Sequence, residues 1–319
     1  MTQSHAACIY NPTRITIDKL RDWCQQAEQH YGFAPTRFIA TTVDDDARCQ
    51  VRDALGHGPA VVIAAGGDGT VRLAAEALAD TGVPLAIVPL GTGNLLARTL
   101  ELSTPGLLHP DATLAQAVEL AFAGGERDID LVRVAVERPS GARDAFVFAV
   151  IAGIGIDAGM ISNTNPTLKK RLGWPAYGVG ILRWLVSSGS FRARYRVDQR
   201  PTYGTRAASI MVGNSGTLTG GLVLMRQARI DDGVIDMIMM RPRGPLGWVV
   251  VAVRILAHRW QRGQRGSQRM LGYHCGRTIM LRLDSRPEEF QVDGDTVGPV
   301  VAARFTVMPR ALRVRIPHR

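Results

Sequence analysis

The sequence predicts an α/β N-terminal domain built on a parallel sheet, followed by a mainly antiparallel β-sandwich second domain. Three observations carry that prediction. Apolar runs of strand length alternate with amphipathic helical stretches between Ala6 and Leu100. Two successive runs end in glycine turns that lead straight into helix-like sequence, which puts both turns at the carboxyl edge of one sheet. From Arg127 onward the pattern changes to short, alternating, β-branched strands. The expected division is residues 1–126 for the first domain and 127–308 for the second, with the last strand in 309–319 able to complete the first or to pair with either.

Each element has a local cause. Ala6 to Tyr10 is a buried-type strand that Asn11-Pro12-Thr13 closes with turn chemistry. Ile17 to His30 is a helix with Leu20, Trp23 and Ala27 on one face. Arg37 to Thr41 is a second strand, and capping residues from Thr42 to Asp46 open a helix through Ala47, Val51 and Leu55. Ala60 to Ala65 is the third strand. After its glycine turn a helix begins near Val71 and carries Leu73, Ala74, Ala75, Leu78 and Ala79. Leu85 to Pro89 is the fourth strand, with a short helix from Leu95 to Leu100 beyond its turn. The second half reads as strands at 129–136, 145–151, 191–197, 207–212, 234–240, 278–283, 289–292, 300–307 and 311–316, interrupted by helices at 168–187 and 246–261.

The chain has 319 residues, 46% apolar and 21% charged, the range of a folded protein with material for two domains. Lys+Arg number 38 against 28 Asp+Glu, a net charge of +10 that points to an anionic partner: nucleic acid, nucleotide or an anionic membrane surface. Nucleic acid is disfavoured, because aromatics make up only 6% and no nucleic-acid motif accompanies the charge. Cys8, Cys24, Cys49 and Cys275 have neither CxxC spacing nor histidines at zinc spacing, and read as free thiols in a reducing compartment. No apolar run reaches the ~18 residues of a membrane span. The first residues lack a basic-then-apolar leader, so a cytoplasmic location is expected.

The chemistry concentrates in Gly66-Gly67-Asp68-Gly69-Thr70. Glycines let the backbone approach a ligand closely, and a helix start offers unpaired N–H groups to an anion. A carboxylate inside such a loop makes sense where a divalent cation lies between it and phosphate. Alone, the loop is also compatible with an ordinary βα turn. A second loop on the same edge, Leu90-Gly91-Thr92-Gly93-Asn94, favours a nucleotide site. Two acidic turns follow in the second half, Asp231-Asp232-Gly233 and Asp293-Gly294-Asp295. The latter is also a hairpin signal between a strand ending at Val292 and one starting at Thr296.

Together these stretches resemble the bacterial diacylglycerol-kinase-like lipid kinases, a family similar to sphingosine kinases that shares a fold with NAD kinases. Asn11-Pro12-Thr13 resembles the family's first-strand loop, and residues 66–70 and 89–94 its two nucleotide loops. Gly153-Ile154-Gly155-Ile156-Asp157-Ala158 resembles its second glycine segment, residues 228–236 its Asp-Asp-Gly-x-Leu-Asp segment, and Val292-Asp293-Gly294-Asp295 its Val-Asp-Gly-Glu. The resemblance implies ATP-dependent phosphorylation of a lipid hydroxyl, foremost diacylglycerol to phosphatidic acid, with ATP in a cleft between the two domains. It implies ATP contacts from Asn11, Pro12, Thr13, Thr41, Gly66, Gly67, Asp68, Gly69, Thr70, Val71, Arg72, Gly91, Thr92, Gly93 and Asn94. It implies Mg²⁺ in the second domain on Asp232 and the carbonyls of Arg229 and Val234, with Asp295 as general base and Asp68 managing the metal on ATP.

Three positions depart from the family pattern. Arg72-Leu73 stand where Asn-Glu is common, Asn94-Leu95 where Asn-Asp is common, and Asp295 where the acid is Glu, one methylene longer. They keep other readings in view: a catalytically weakened lipid- or nucleotide-binding regulator, a kinase for another lipid alcohol such as a sphingoid base, or a soluble NAD kinase. A lipid substrate requires contact with a bilayer. Two stretches suit an anionic surface: 169–184, with Lys169, Lys170, Arg171, Trp174, Arg183 and Trp184, and 248–269, with Trp248 and Val249 to Val251 followed by Arg254, His258, Arg259, Arg262, Arg265 and Arg269. The second stretch reads equally as a core helix with a solvated basic tail. Peripheral association with the inner face of the cell membrane is expected, and a homodimer is left open.

Overall fold

The computed structural model describes residues 3–42, 47–105, 110–155, 189–216, 224–256 and 270–318. Four parallel strands open the chain: β1 (His5–Tyr10), β2 (Ala34–Ala40), β3 (Val61–Gly66) and β4 (Leu85–Pro89), in the order β2-β1-β3-β4. The near-continuous apolar runs of β1, β3 and β4 suit strands covered on both faces, and β2 is a partly exposed edge. The covering helices are α1 (Ile17–Tyr31), α2 (Ala47–Leu55), α3 (Asp68–Leu78), α4 (Leu95–Thr99) and α5 (Pro110–Ala123). On one face α1 and α5 bury Leu20, Cys24, Val118 and Phe122 with Cys8, Ile63 and Val88. On the other, α2, α3 and α4 bury Val51, Val71, Leu78 and Leu96 with Ile9, Val62 and Ile87.

The first sheet continues into the second half through β5 (Gly125–Glu137), β6 (Arg143–Phe148), β8 (Phe191–Val197), β9 (Tyr203–Ala207), β13 (Thr278–Leu283) and β16 (Ala302–Ile316). A second sheet, antiparallel throughout, runs β12 (Leu271–Gly276), β11 (Ile235–Met240), β10 (Ser209–Gly213), β7 (Ile151–Ile154), β14 (Glu288–Val292) and β15 (Asp295–Val300). The two sheets enclose Val134, Phe148, Phe191, Phe290 and Phe305. α6 (Gly244–Leu256) lies over the second sheet and packs Trp248 and Val251 with Ile238, Met240 and Leu271.

β16 joins the two halves. It pairs with β13 and β5 over its first part, with β5 over its second, and in parallel with β4 where Val314 meets Leu85. The strands read separately at 300–307 and 311–316 are therefore one strand beginning at Ala302, with a register shift between Met308 and Leu312. The strand read at 145–151 is two, β6 and β7, because the chain turns a corner between Phe148 and Ile151. β5 crosses the expected division at 126/127.

Three elements had no counterpart in the sequence reading. The apolar residues of α5, among them Leu114, Ala117, Leu120 and Phe122, ring most of the helix and blur its period. β9 and β12 contain glycines that read as turn residues. The helix expected at 168–187, the tail at 257–269 with its arginines, and Asp157 and Ala158 lie outside the described residues. Among the described residues no helix is long and apolar enough to cross a membrane. Cys8 and Cys24 are buried free thiols.

Candidate active site

The first glycine loop sits where β3 becomes α3. Gly67 caps the helix in extended backbone, with φ −85° and ψ −174°. The Val71 N–H donates to the Gly67 carbonyl at 3.1 Å. The N–H groups of Gly69 and Thr70 therefore lie in the first helical turn, where no intrahelical acceptor exists. Gly66 has no room for a side chain, since a Cβ would lie 2.5 Å from Thr70 Oγ1. The second loop packs on the first: a Cβ on Gly91 would lie 3.0 Å from the Gly67 Cα, and the Leu90 N–H donates to the Gly66 carbonyl at 2.9 Å.

Asp68 ties the loops together. Its Oδ2 accepts from the Asn94 N–H at 2.9 Å and its Oδ1 from the Leu95 N–H at 2.6 Å. Asn94 takes the left-handed conformation at φ 48°, and its own Oδ1 accepts the Gly91 N–H at 2.9 Å. At position 95 the loop thus uses the backbone N–H. Burial pushes the Asp68 carboxyl above its ordinary value, the two N–H donors pull it back, and the nearby Asp295 raises it further. A carboxylate raised by burial and by a neighbouring acid is one that a bound cation would relieve.

The remaining loop residues lie on the same sheet edge. The Asn11 N–H donates to the Ala65 carbonyl and the Thr41 N–H to the Tyr10 carbonyl. Asn11 Oδ1 accepts both the N–H and the hydroxyl of Thr13, at 3.0 and 2.7 Å, with Pro12 between them. Thr92 is exposed, and Gly93 gives its carbonyl to Arg98 Nε at 2.9 Å.

Asp295 comes to this edge from the far end of the chain. β14 and β15 form a hairpin in which Val292 pairs with Asp295, leaving Asp293 and Gly294 as a two-residue turn. Both have positive φ, 46° and 95°, as a type I′ turn requires. The turn is pinned by the Asp293 carboxylate, which accepts the N–H groups of Ala149, Val150 and Ile151 at 2.9, 3.0 and 2.8 Å. Asp293 is buried, and that burial pushes its carboxyl up to about 6 against the pull of the three donors and of Arg72. With the turn fixed, Asp295 faces the first loop: a Cβ on Gly69 would lie 3.3 Å from Asp295 Oδ2. The same oxygen accepts from Arg72 Nε at 3.3 Å and Nη2 at 3.1 Å.

The expected second-domain metal residues occupy the loop before β11. Asp232 Oδ1 accepts the Val234 N–H at 3.2 Å, and Arg229 pairs with Asp231 at 3.7 Å. Burial, opposed by the Val234 N–H, raises the Asp232 carboxyl, and the neighbouring Asp130 and Asp231 add to this. Among the described residues no three His, Cys, Asp or Glu side chains gather around one point. The expected set needs one carboxylate and two carbonyls, so Asp232 is its only acidic member.

The sequence reading missed the residues that hold the site in place. Asp130 is 1% exposed and accepts the N–H groups of Gly233 and Arg310 at 2.6 and 2.8 Å. Asn214, also buried, donates to the Asp130 and Ala149 carbonyls. A polar residue inside an apolar strand run was the available signal for Asp130. No sequence signal pairs Arg72 with Asp295.

With this geometry established, comparison with known proteins gives consistent matches. Residues 5–134 match the diacylglycerol kinase catalytic domain, and residues 149–316 match the YegS C-terminal NAD kinase beta sandwich-like domain. The chain is 33% identical over 283 residues to a protein of Pseudomonas aeruginosa (strain UCBPP-PA14) named probable lipid kinase YegS-like, covering 87% of this chain and 83% of that one. A protein of the same name from Stenotrophomonas maltophilia (strain K279a) is 29% identical and spans 99% of this chain and 97% of its own. A crystal structure of a diacylglycerol kinase from Bacillus anthracis superposes with a TM-score of 0.67 at 18% identity, over 99% of this chain and 98% of that one. At that identity the superposition establishes the fold.

Proposed function

The chain belongs to the YegS-like lipid kinases with a diacylglycerol kinase catalytic domain, and on that premise we propose that it transfers the γ-phosphate of ATP to the hydroxyl of diacylglycerol, giving phosphatidic acid. The observation that carries this reading is the meeting of Asp295 with the Gly69 loop across the fold. A phosphate-type loop and an acidic residue 226 positions later in the sequence (Gly69 to Asp295) have no structural need to touch. Phosphoryl transfer needs that juxtaposition.

The residues divide the work. The N–H groups of Gly69 and Thr70, at the positive end of α3, hold phosphate oxygens, and the bare Gly67 and Gly91 let the chain of phosphates approach. Asp68 keeps the two loops in register. The Asp295 carboxylate accepts the proton from the lipid hydroxyl as its oxygen bonds to phosphorus, and ADP leaves. Mg²⁺, when bound, would neutralise charge on the phosphate oxygens, and Asp68 is the loop carboxylate that would hold it, directly or through water. A second Mg²⁺ belongs at Asp232 with the carbonyls of Arg229 and Val234.

Peripheral membrane contact belongs to the same proposal. Leu246, Val250 and Val253, spaced along one side of α6, are 81, 36 and 56% exposed, while Trp248 and Val251 on its other side are buried. This suits a helix lying on the surface of a bilayer. The test is transfer of label from γ-labelled ATP to lipid in mixed micelles. Labelled phosphatidic acid is expected. Labelled sphingoid-base phosphate would replace the substrate, and labelled NADP without micelles would replace the reading.

A further inference from the structure

Arg72 follows the glycine loop on α3 and is 9% exposed, yet its guanidinium is committed mainly to charge. Nε and Nη2 converge on one oxygen of Asp295, at 3.3 and 3.1 Å. Among the described residues Nη1 has no hydrogen-bond acceptor and stands 3.9 Å from Glu76 Oε2, while Glu76 Oε1 takes Arg48 Nη1 at 3.2 Å. A row of alternating charge therefore runs Arg48, Glu76, Arg72, Asp295, from α2 through α3 to β15. Such a row holds a buried guanidinium in one orientation, since each charge left unpaired would be costly. The two donors on Oδ2 leave Oδ1 with no donor among the described residues. On its other side Oδ2 lies 3.3 Å from where a Cβ on Gly69 would stand.

We infer that Arg72 is a positioning residue for Asp295. It fixes Oδ2 against the nucleotide loop so that Oδ1 faces the lipid hydroxyl. This rests on the reading of Asp295 as the base. It also replaces the expectation that Arg72 contacts ATP. The pair has a set length, a long donor meeting a short acid. A Glu at position 295 would press its carboxylate into Gly69 or lose the converging N–H groups. Removing the guanidinium gives the longer acid room.

The experiment is a double-mutant cycle on the full chain, with kcat and the KM for ATP measured separately and urea unfolding followed for each variant. Arg72→Asn is expected to lower kcat by about 10- to 100-fold with little change in KM for ATP. Asp295→Glu is expected to lose activity alone and to recover it in the Arg72→Asn background. Arg72→Lys keeps the charge and the fold but not two N–H groups at a fixed angle, so it should rescue only part of kcat. Three results would overturn the inference: wild-type kcat in Arg72→Asn, an additive cycle, or a loss that appears in KM for ATP. A kcat loss that tracks stability alone would reduce Arg72 to a structural role. Full activity in Asp295→Asn would remove the base, and the inference with it. An inert Asp295→Asn with an additive cycle would strike Arg72 alone.

Discussion

A carboxylate surrounded by backbone N–H groups does structural work, and Asp68 and Asp293 do so beside Asp130. Asp68 holds Asn94 and Leu95, so Asp68→Ala strips the acceptor from two partly buried donors. The expected loss is roughly 1–3 kcal/mol of stability in urea unfolding, together with loss of lipid phosphorylation. Retained transfer would remove Asp68 from the mechanism. Asp293 carries a pH signature. Its folded value of about 6 lies above the ordinary carboxyl value of 3.8, so between them the folded state binds the proton more tightly. The stability linked to this group therefore rises as pH falls through 6 and is lost as pH rises. Urea midpoints at pH 7 and pH 5 should show the wild-type chain gaining on Asp293→Asn at the lower pH; a constant gap would contradict the assignment. At this scale the sequence was legible in its motifs and silent on its pairings. Gly66 to Thr70 and Asp293 to Asp295 could be named. That Arg72 and Asp295, two of the positions where the chain departs from its family's pattern, touch each other could not, because 223 residues separate them.

At the scale of elements, the site is built from two βα turns and one hairpin. The βα turns depend on glycine for close approach. A Cβ on Gly91 would meet Asn94 Oδ1 at 2.9 Å and the Gly67 Cα at 3.0 Å, both fixed by other bonds. Gly91→Ala should therefore weaken binding of a non-hydrolysable ATP analogue in calorimetry more than it lowers the unfolding midpoint. Unchanged affinity would place the nucleotide elsewhere. These turns and the hairpin were readable because local chemistry dictates them: glycine before a helix, and Asp-Gly between alternating strands. α5, β9 and β12 were not, because tertiary packing supplies what their weak local patterns lack.

For the whole molecule, the two halves share a strand and a core. β16 belongs to both, and one cluster runs from Val62 and Leu78 through Ile151 and Met211 to Ile238 and Trp248. Deleting residues 309–319 removes the β16 segment that reaches β4. It should abolish the folded state of the α/β half as well, seen as loss of a single cooperative transition. Survival of the α/β half would show independent folding. The sequence set a division at 126/127 without showing that β5 and β16 run across it, since a long strand with a register shift at Met308 reads as two. The central claim remains the reaction. Its most direct measurement is label recovered in lipid from γ-labelled ATP, by the wild-type chain and by Asp295→Asn, over a panel of lipid alcohols in micelles. Labelled phosphatidic acid from the wild type and none from Asp295→Asn is the expected result. ATP binding without labelled lipid from any alcohol in the panel would contradict it.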